Sequence, residues 1–329
     1  MAGPRNTSMQ RLTFLLAAIA LLAAALLGCE DAGRSGEKAV VDFRGAEQKA
    51  VHNASQRRGE QGLRVAVGAM VSPKETYRQY RELFAYVSSV LDKKLVFEQR
   101  QTYAEVNKLL AENELDLAFI CSGPYALARD KGSFELLVAP RINGSARYRS
   151  YLIVAKDSDH DSLRDLEGAS FAFTDPDSNT GHLVPLYWLS QLEADPETFF
   201  QKTIYTYSHD NSILAVARGL VDGAAVDSLI WDYLRQNGSD AADRTRVLRK
   251  SRPFGIPPVV VSSDMEPGLK ERIEKLLLRM HTTPEGRSIL DQLHIDQFIV
   301  AKESWYNPIR AMEAKLREDG IHENSATKP

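Results

Sequence analysis

Cysteine is scarce in this chain, with two among 329 residues. Two thiols cannot build a disulfide framework or a four-cysteine zinc site. The seven histidines are scattered, and no two sit four apart on one helix face, so metal-ligand spacing is missing as well. No excess of one charge exists: 41 Lys and Arg stand against 44 Asp and Glu, for a net charge of −3 and a pI near 6.2, which argues against a nucleic-acid partner. The common enzyme signatures HExxH, GxSxG and the Walker loop are missing, and no nucleophile is paired with a base. The expectation is a binding protein, not an enzyme, without metal or cofactor. Long apolar runs are missing apart from one at the extreme N-terminus. What remains is 43% hydrophobic and 26% charged, enough for a proper core, over a length that suits about two domains.

The N-terminal run carries Arg5 and Arg11, then an apolar stretch over 12–27 broken only by Thr13, then Leu26-Leu27-Gly28-Cys29. A short charged segment, an apolar core of ~15 residues and a small-residue site read as a secretory signal. The rival reading, an uncleaved anchor, falls short of the ~20 residues needed to span a bilayer. Leu-Leu-Gly-Cys resembles the lipobox of bacterial lipoproteins. That resemblance implies removal of residues 1–28, lipidation of Cys29 and a place in the cell envelope, lipid-anchored and facing the periplasm or exterior. Residues 29–62 are polar and aperiodic and read as a tether with a span of ~30 Å. Cys121, then alone in the run 117–121, reads as a buried inert thiol.

From residue 63 strands and helices alternate. Strands are expected at 63–68, 94–98, 115–120, 134–139 and 148–155, with helices at 76–91 and 103–112. A second cycle has strands at 170–173, 203–207 and 223–226, with helices at 181–192 and 212–219. A strand at 259–261 and helices at 266–281 and 305–316 close the chain. Such alternation implies an α/β fold. Ligands in open α/β sheets lie beyond the carboxyl ends of strands, so the polar residues just after each strand are the ones to inspect.

Three such junctions stand out. Thr174-Asp175-Pro176-Asp177-Ser178-Asn179-Thr180-Gly181-His182-Leu183 follows a strand and opens a helix. Helix-start N–H groups form an anion site, and Ser178, Asn179 and Thr180 add side-chain donors. An ordinary N-cap would need one such residue. Ser208-His209-Asp210-Asn211 is the second junction, either an oxyanion donor or a capping turn. Val226-Asp227-Ser228 is the third. Asp227 either shares a proton with a ligand or caps the next helix.

The stretch from Asp175 through Pro185 resembles the DPxSxSGxxxP signature of phosphate/phosphite/phosphonate-binding proteins, the solute receptors of ABC importers. The resemblance continues through 208–216, 221–228 and 256–258, and in the first half through 116–119 and 148–154. It implies a type II periplasmic-binding-protein fold: two α/β lobes joined by two crossover strands, with the ligand cleft between them. Lobe one is expected at 61–153 plus 254–317, lobe two at 154–253, and a disordered tail at 318–329. Matched residue by residue, the family's ligand groups fall on Ser178, Asn179, Thr180 and His209 of lobe two and on Tyr103 and Tyr148 of lobe one. Ser122 and Tyr125, after the strand ending near Cys121, are further candidates. The chain departs from the pattern at Asn179, usually Ser or Thr, and at His182, often an aromatic; both suit an oxyanion. Aminoalkylphosphonate binders also carry carboxylates for the ammonium, whereas Leu229 and Pro257 stand nearby here, with Asp227 left to meet a protonated oxygen. The implied function is capture of a phosphonate, phosphite or phosphate by lobe closure and delivery to an ABC permease, by a monomer. A rival is presentation of the closed form to a membrane sensor kinase.

Overall fold

The computed structural model describes residues 62–128 and 134–321. The expected signal peptide, Cys29, nearly all of the tether and the last eight residues lie outside them. Strands run in the order β1 (Leu63–Val67), β2 (Leu95–Glu98), β3 (Leu117–Phe119), β4 (Phe134–Arg141), β5 (Arg147–Tyr148), β6 (Ser150–Ala155), β7 (Ser170–Phe173), β8 (Lys202–Tyr205), β9 (Gly223–Asp227), β10 (Thr245–Lys250), β11 (Phe254–Gly255), β12 (Val259–Ser262) and β13 (Gln297–Val300). The helices are α1 (Pro73–Val90), α2 (Tyr103–Ala111), α3 (Ser122–Leu127), α4 (Val184–Ser190), α5 (Pro196–Phe199), α6 (His209–Ala217), α7 (Ser228–Gln236), α8 (Asp240–Asp243), α9 (Pro267–Arg279), α10 (Pro284–Gln292) and α11 (Asn307–Glu318).

Two sheets result. The first has the order β13-β4-β12-β3-β1-β2, with β1 parallel to β2 and β3. The second has the order β10-β6-β9-β7-β8, with β7 parallel to β8 and β9. Central strands such as Leu-Ala-Phe of β3 and Gly-Ala-Ala-Val-Asp of β9 are buried throughout, as strands covered on both faces must be. One core packs Val65, Val87, Leu117 and Phe119 against Ile273 and Leu277; another packs Ile153, Ala172 and Val226 against Ile213 and Trp231. This is the type II periplasmic-binding-protein arrangement of two α/β lobes.

The chain crosses between lobes twice, and the two crossings pair as an antiparallel ribbon, Tyr148 with Phe254 and Arg147 with Gly255. Since β6 pairs with β9 from Ser150 to Val154, the change of lobe falls between Tyr148 and Ser150, and the expected boundary after residue 153 lies inside β6. The sequence reads 148–155 as one apolar strand and gives no sign of the break at Arg149. Three strands escaped expectation, the short hinge strand β11 and two at sheet edges. β10 is a charged edge strand against β6, and β13 is an edge strand against β4; edges tolerate charge that a central strand does not. Helix α11, expected in lobe one, packs on both α3 and α4 and so touches both lobes.

The hinge ribbon is pinned from behind. The Tyr306 hydroxyl donates to the Ile256 carbonyl at 2.9 Å, and the Arg147 guanidinium lies 5.1 Å from the Trp305 ring centroid. A Cβ on Gly255 would stand 2.9 Å from the Trp305 Cβ and carbonyl oxygen. Gly255→Ala is therefore expected to lower stability by about 1–3 kcal/mol, as overpacking does. Urea denaturation checks this, and an unchanged midpoint would contradict it.

Candidate functional site

The carboxyl ends of parallel strands in both sheets lead straight into the polar junctions. β7 runs into Thr174 and a π-helical turn (Asn179–Leu183) continuous with α4. Ser178 is its N-cap, its hydroxyl accepting the Gly181 N–H at 3.0 Å. Asn179 and Thr180 open the helix, where first-turn N–H groups have no intrahelical acceptor. β8 runs through Tyr207, held at φ 58°, a left-handed conformation unusual for a bulky residue, which turns the chain so that Ser208 and His209 start α6. β9 ends on Asp227, the N-cap of α7, whose Oδ1 accepts the Leu229 N–H at 2.7 Å. From lobe one, β2 leads to Tyr103 at the start of α2, capped by Thr102 and Glu105 in a reciprocal capping box. β3 leads to Ser122 at the start of α3.

These side chains form one buried cluster. Tyr103, Tyr148, Ser122, Ser178, Asn179, Thr180, Ser208, His209 and Asp227 are each at most 2% exposed. The Tyr148 hydroxyl hydrogen-bonds Ser122 Oγ and receives the Asn179 amide at 3.0 Å, joining hinge, lobe one and lobe two. Tyr103 lies within electrostatic reach of both Asp227 and Tyr148. His209 Nδ1 accepts the Asp227 N–H at 3.1 Å and contacts the Thr174 hydroxyl at 3.1 Å. Nδ1 is thus an acceptor, which places the ring proton on Nε2. Burial pushes the histidine pKa down to about 3, so the ring is neutral.

Six polar atoms buried here have no hydrogen-bond partner among the described residues: Tyr103 Oη, Asn179 Oδ1, Thr180 Oγ1, Ser208 Oγ, His209 Nε2 and Asp227 Oδ2. Buried polar groups are normally paired, so a concentration of exceptions marks a site built for something else. Four are hydroxyl or ring N–H donors. The Asn179 amide can be turned over without losing Tyr148, since a phenol both donates and accepts, and it then offers NH₂ instead of the carbonyl. Burial pushes Asp227 up to about 7, so its free oxygen can either donate or accept a proton near neutrality. Among the described residues no Lys or Arg takes part.

Lobe two reaches across to lobe one through carboxylates. Asp210 Oδ1 accepts the Ser72 N–H at the head of α1 at 2.9 Å, and Asp175 Oδ2 accepts the Tyr103 N–H at the head of α2 at 3.1 Å. Each carboxylate meets the positive end of a helix in the opposite lobe. Gly123 of α3 closes against residues 177–179, where an added Cβ would lie 2.4 Å from the Asp177 carbonyl oxygen and 2.7 Å from the Asn179 nitrogen.

Of the residues singled out from sequence, Ser178, Asn179, Thr180, His209, Asp227, Tyr103, Tyr148 and Ser122 are brought together. His182 and Tyr125 are not. His182 Nδ1 meets the Pro176 carbonyl at 2.7 Å and Nε2 meets the Tyr205 hydroxyl at 3.0 Å, so the ring braces the motif from outside. The Tyr125 hydroxyl is bound to Glu303, with its ring against Tyr306. Cys121 is buried with its thiol pushed up to about 11 by desolvation, as expected of an inert cysteine. Ser208, Asp175, Asp210 and Gly123 were missed. Ser208 heads a turn already in view and could have been found. Gly123 carries no local signal, because its neighbour lies in the other lobe.

Comparison with known proteins adds the following. The family model described as ABC transporter, phosphonate, periplasmic substrate-binding protein matches residues 65–306. The phosphonates-binding periplasmic protein of Escherichia coli (strain K12) is 28% identical over 229 residues, 68% of this chain and 67% of that protein. Among solved structures, a binding-protein component of an ABC phosphonate transporter from Pseudomonas aeruginosa aligns with a TM-score of 0.74 at 22% identity, over 80% of this chain and 89% of that one. PhnD1 of Prochlorococcus marinus (MIT 9301), solved with methylphosphonate, aligns with a TM-score of 0.71 at 20% identity, over 78% and 99%.

Gly123→Ala is expected to weaken ligand binding at least tenfold while leaving the unfolding midpoint of the unliganded protein unchanged, because the clash is between lobes and not within one. Calorimetric titration beside a thermal melt checks it. A loss of stability with intact affinity would place the contact elsewhere.

Proposed function

The chain belongs to the family of periplasmic substrate-binding proteins of phosphonate ABC transporters, and on that premise we propose that its buried cluster seats the oxyanion of a phosphonate, phosphite or phosphate. Its family is one of binding components and not of enzymes; the protein takes up a small molecule in the periplasm and serves an ABC permease. The proposal extends to anchoring through a lipid on Cys29 and to action as a monomer.

The observation that carries the reading is the set of buried, unpartnered donors from both lobes around a carboxyl poised near neutrality. A tetrahedral phosphorus group offers three oxygens with several lone pairs. Thr180, Ser208, His209 Nε2–H and Tyr103 supply matched donors. A hydrogen bond to a charged group contributes ~1.5–3 kcal/mol net, so four lie in the range that micromolar affinity requires, ~8 kcal/mol. Asp227 lets the site take the ligand in either protonation state. Protonated, it donates to a fully ionised oxygen; ionised, it accepts from a protonated one. Because Tyr103 comes from lobe one and Thr180, Ser208 and His209 from lobe two, a ligand touches all of them only when the lobes are together. It therefore binds the closed form better and shifts the population toward it. Only the lobe-one contact is gained on closing, so the Tyr103 bond, ~1.5–3 kcal/mol, shifts the closed-to-open ratio by roughly 10- to 150-fold, against the ~5.5 kcal/mol that a full shift from 1% to 99% needs.

Thr180→Val keeps the side-chain shape and removes one donor. It is expected to weaken phosphite and methylphosphonate binding by ~10- to 100-fold, measured by titration calorimetry. Unchanged affinity for both would overturn the seat.

Asp227 also sets a pH dependence. Its carboxyl titrates at about 7 when folded against an ordinary 3.8, so between these values the folded chain holds a proton that the unfolded chain has released. The penalty of burying the charge is nil below about pH 4, grows as pH rises and is complete above pH 7. Asp175, pushed up to about 6 by burial, adds a dependence of the same sign. Asp227→Asn is expected to raise the melting temperature of the unliganded protein at pH 8 and to change it little at pH 4, leaving the shallower slope due to Asp175. Equal shifts at the two pH values would contradict the assignment.

A further inference from the structure

A second pocket lies where lobe two meets the hinge. It is lined by Trp188 and Gln191 of α4, by Met312 of α11 and by the run 249–254, which leaves β10 and makes the second crossing. It shares no residue with the oxyanion seat. The stretch 244–263 holds five cations and no Asp or Glu, in a chain of net charge −3. Two of the five are matched: Arg244 pairs with Asp240 at 3.8 Å and Arg246 with Asp161 at 3.1 Å. Lys250 lies 4.8 Å from the Tyr151 ring centroid and within electrostatic reach of Asp232.

Arg249 and Arg252 make no ion pair among the described residues. Arg249 reaches Gln191 Oε1 at a long 3.4 Å, and Arg252 donates to the Pro308 carbonyl at 2.9 Å. Their guanidinium carbons lie 4.9 Å from the Trp188 ring centroid and 5.5 Å from that of Phe254, and both rings are buried. A guanidinium laid on a fixed ring is oriented in advance and keeps most of its five N–H donors for another acceptor. Burial pushes the Arg249 pKa down, with no carboxylate to offset it. Ser251, between the two arginines, is pinned to Ser150: its N–H donates to the Ser150 carbonyl and its hydroxyl accepts the Ser150 N–H, each at 2.9 Å. Cations on an edge strand also deter pairing between sheets, but that use calls for solvated charges and not for guanidiniums laid on buried rings beside a pocket.

We propose that Arg249 and Arg252 form a second anion site, for a phosphate group carried on a small molecule or on a lipid headgroup. Arginine meets phosphate through paired N–H···O bonds, and a pocket without a competing carboxylate leaves those donors available. The site is independent of the oxyanion seat and works by the opposite physics. The seat offers neutral donors in an enclosure, whereas this pocket offers net charge at the surface, where salt screens it. An occupant touches α4 of lobe two, the crossing segment and α11, the helix that packs on both lobes.

The test titrates the full chain with glycerol 3-phosphate by calorimetry, with excess methylphosphonate present to occupy the cleft. Binding is expected, weakening about tenfold between about 20 and about 300 mM NaCl. In the double variant Arg249→Gln/Arg252→Gln it is expected to weaken at least about tenfold, while methylphosphonate titrates as before. Should the double variant misfold, Arg252→Gln alone, at an exposed position, carries the comparison. A second arm co-sediments the same proteins with phosphatidylglycerol and with phosphatidylcholine vesicles. A preference for phosphatidylglycerol that the variant loses identifies a lipid headgroup as the source; glycerol 3-phosphate binding without that preference identifies a soluble phosphate. The proposal is overturned if neither probe binds at low salt, or if binding survives in the variant undiminished.

Discussion

A polar atom sealed from water must find a partner, and the fold is arranged around a place where the protein declines to provide one. Hydroxyls, an imidazole N–H and a carboxyl oxygen are carried there by both lobes and left unsatisfied. Holding them in that condition requires rigid support. The imidazole is fixed by the Asp227 amide and Thr174, the Tyr148 phenol by Ser122 and Asn179, and the Thr180 carbonyl by the Ser150 hydroxyl at 2.6 Å. The supports use the atom of each group that faces the scaffold and free the one that faces the cleft. The left-handed Tyr207 fits the same logic, with local strain tolerated where it aims a functional group.

Closure has its own chemistry, separate from the ligand. Asp175 and Asp210 cap helices of the opposite lobe, and Gly123 lets a helix start approach the backbone of the signature loop. The lobes therefore recognise each other through carboxylate and helix dipole, while the last increment of affinity comes from the occupant. The hinge ribbon, backed by Trp305 and Tyr306, and helix α11, which touches both lobes, hold the crossing strands in register.

Much of this was legible in the chain. Strand-helix alternation named the fold class, and the rule that ligands sit beyond strand ends led to the loops at 174–183, 208–211 and 226–228. Side chains whose partners lie nearby in sequence were read well; Asp227, for which the sequence offered a helix cap as one of two alternatives, does cap α7. What depended on which tertiary neighbour a side chain meets was not. His182 sits within the signature, yet its two nitrogens are taken by Pro176 and Tyr205, and Tyr125 turns to Glu303. Spacing within a motif cannot say which way a ring points once a neighbouring strand offers it a hydroxyl. Edge strand β10 was missed because its lysine and arginines break the alternation, and the lobe boundary because an apolar run continues across Arg149.

The neutrality of His209, with no lysine or arginine beside it among the described residues, has an effect outside the pocket. An anion held by fixed dipoles in a dry enclosure draws little from long-range attraction, and it is long-range attraction that dissolved salt weakens, over a Debye length of ~8–10 Å in physiological media. The grip then leans on geometry more than on ionic strength. For a receptor in a compartment whose salinity follows the surroundings, such a seat makes affinity less sensitive to salt than a seat built on a charged side chain.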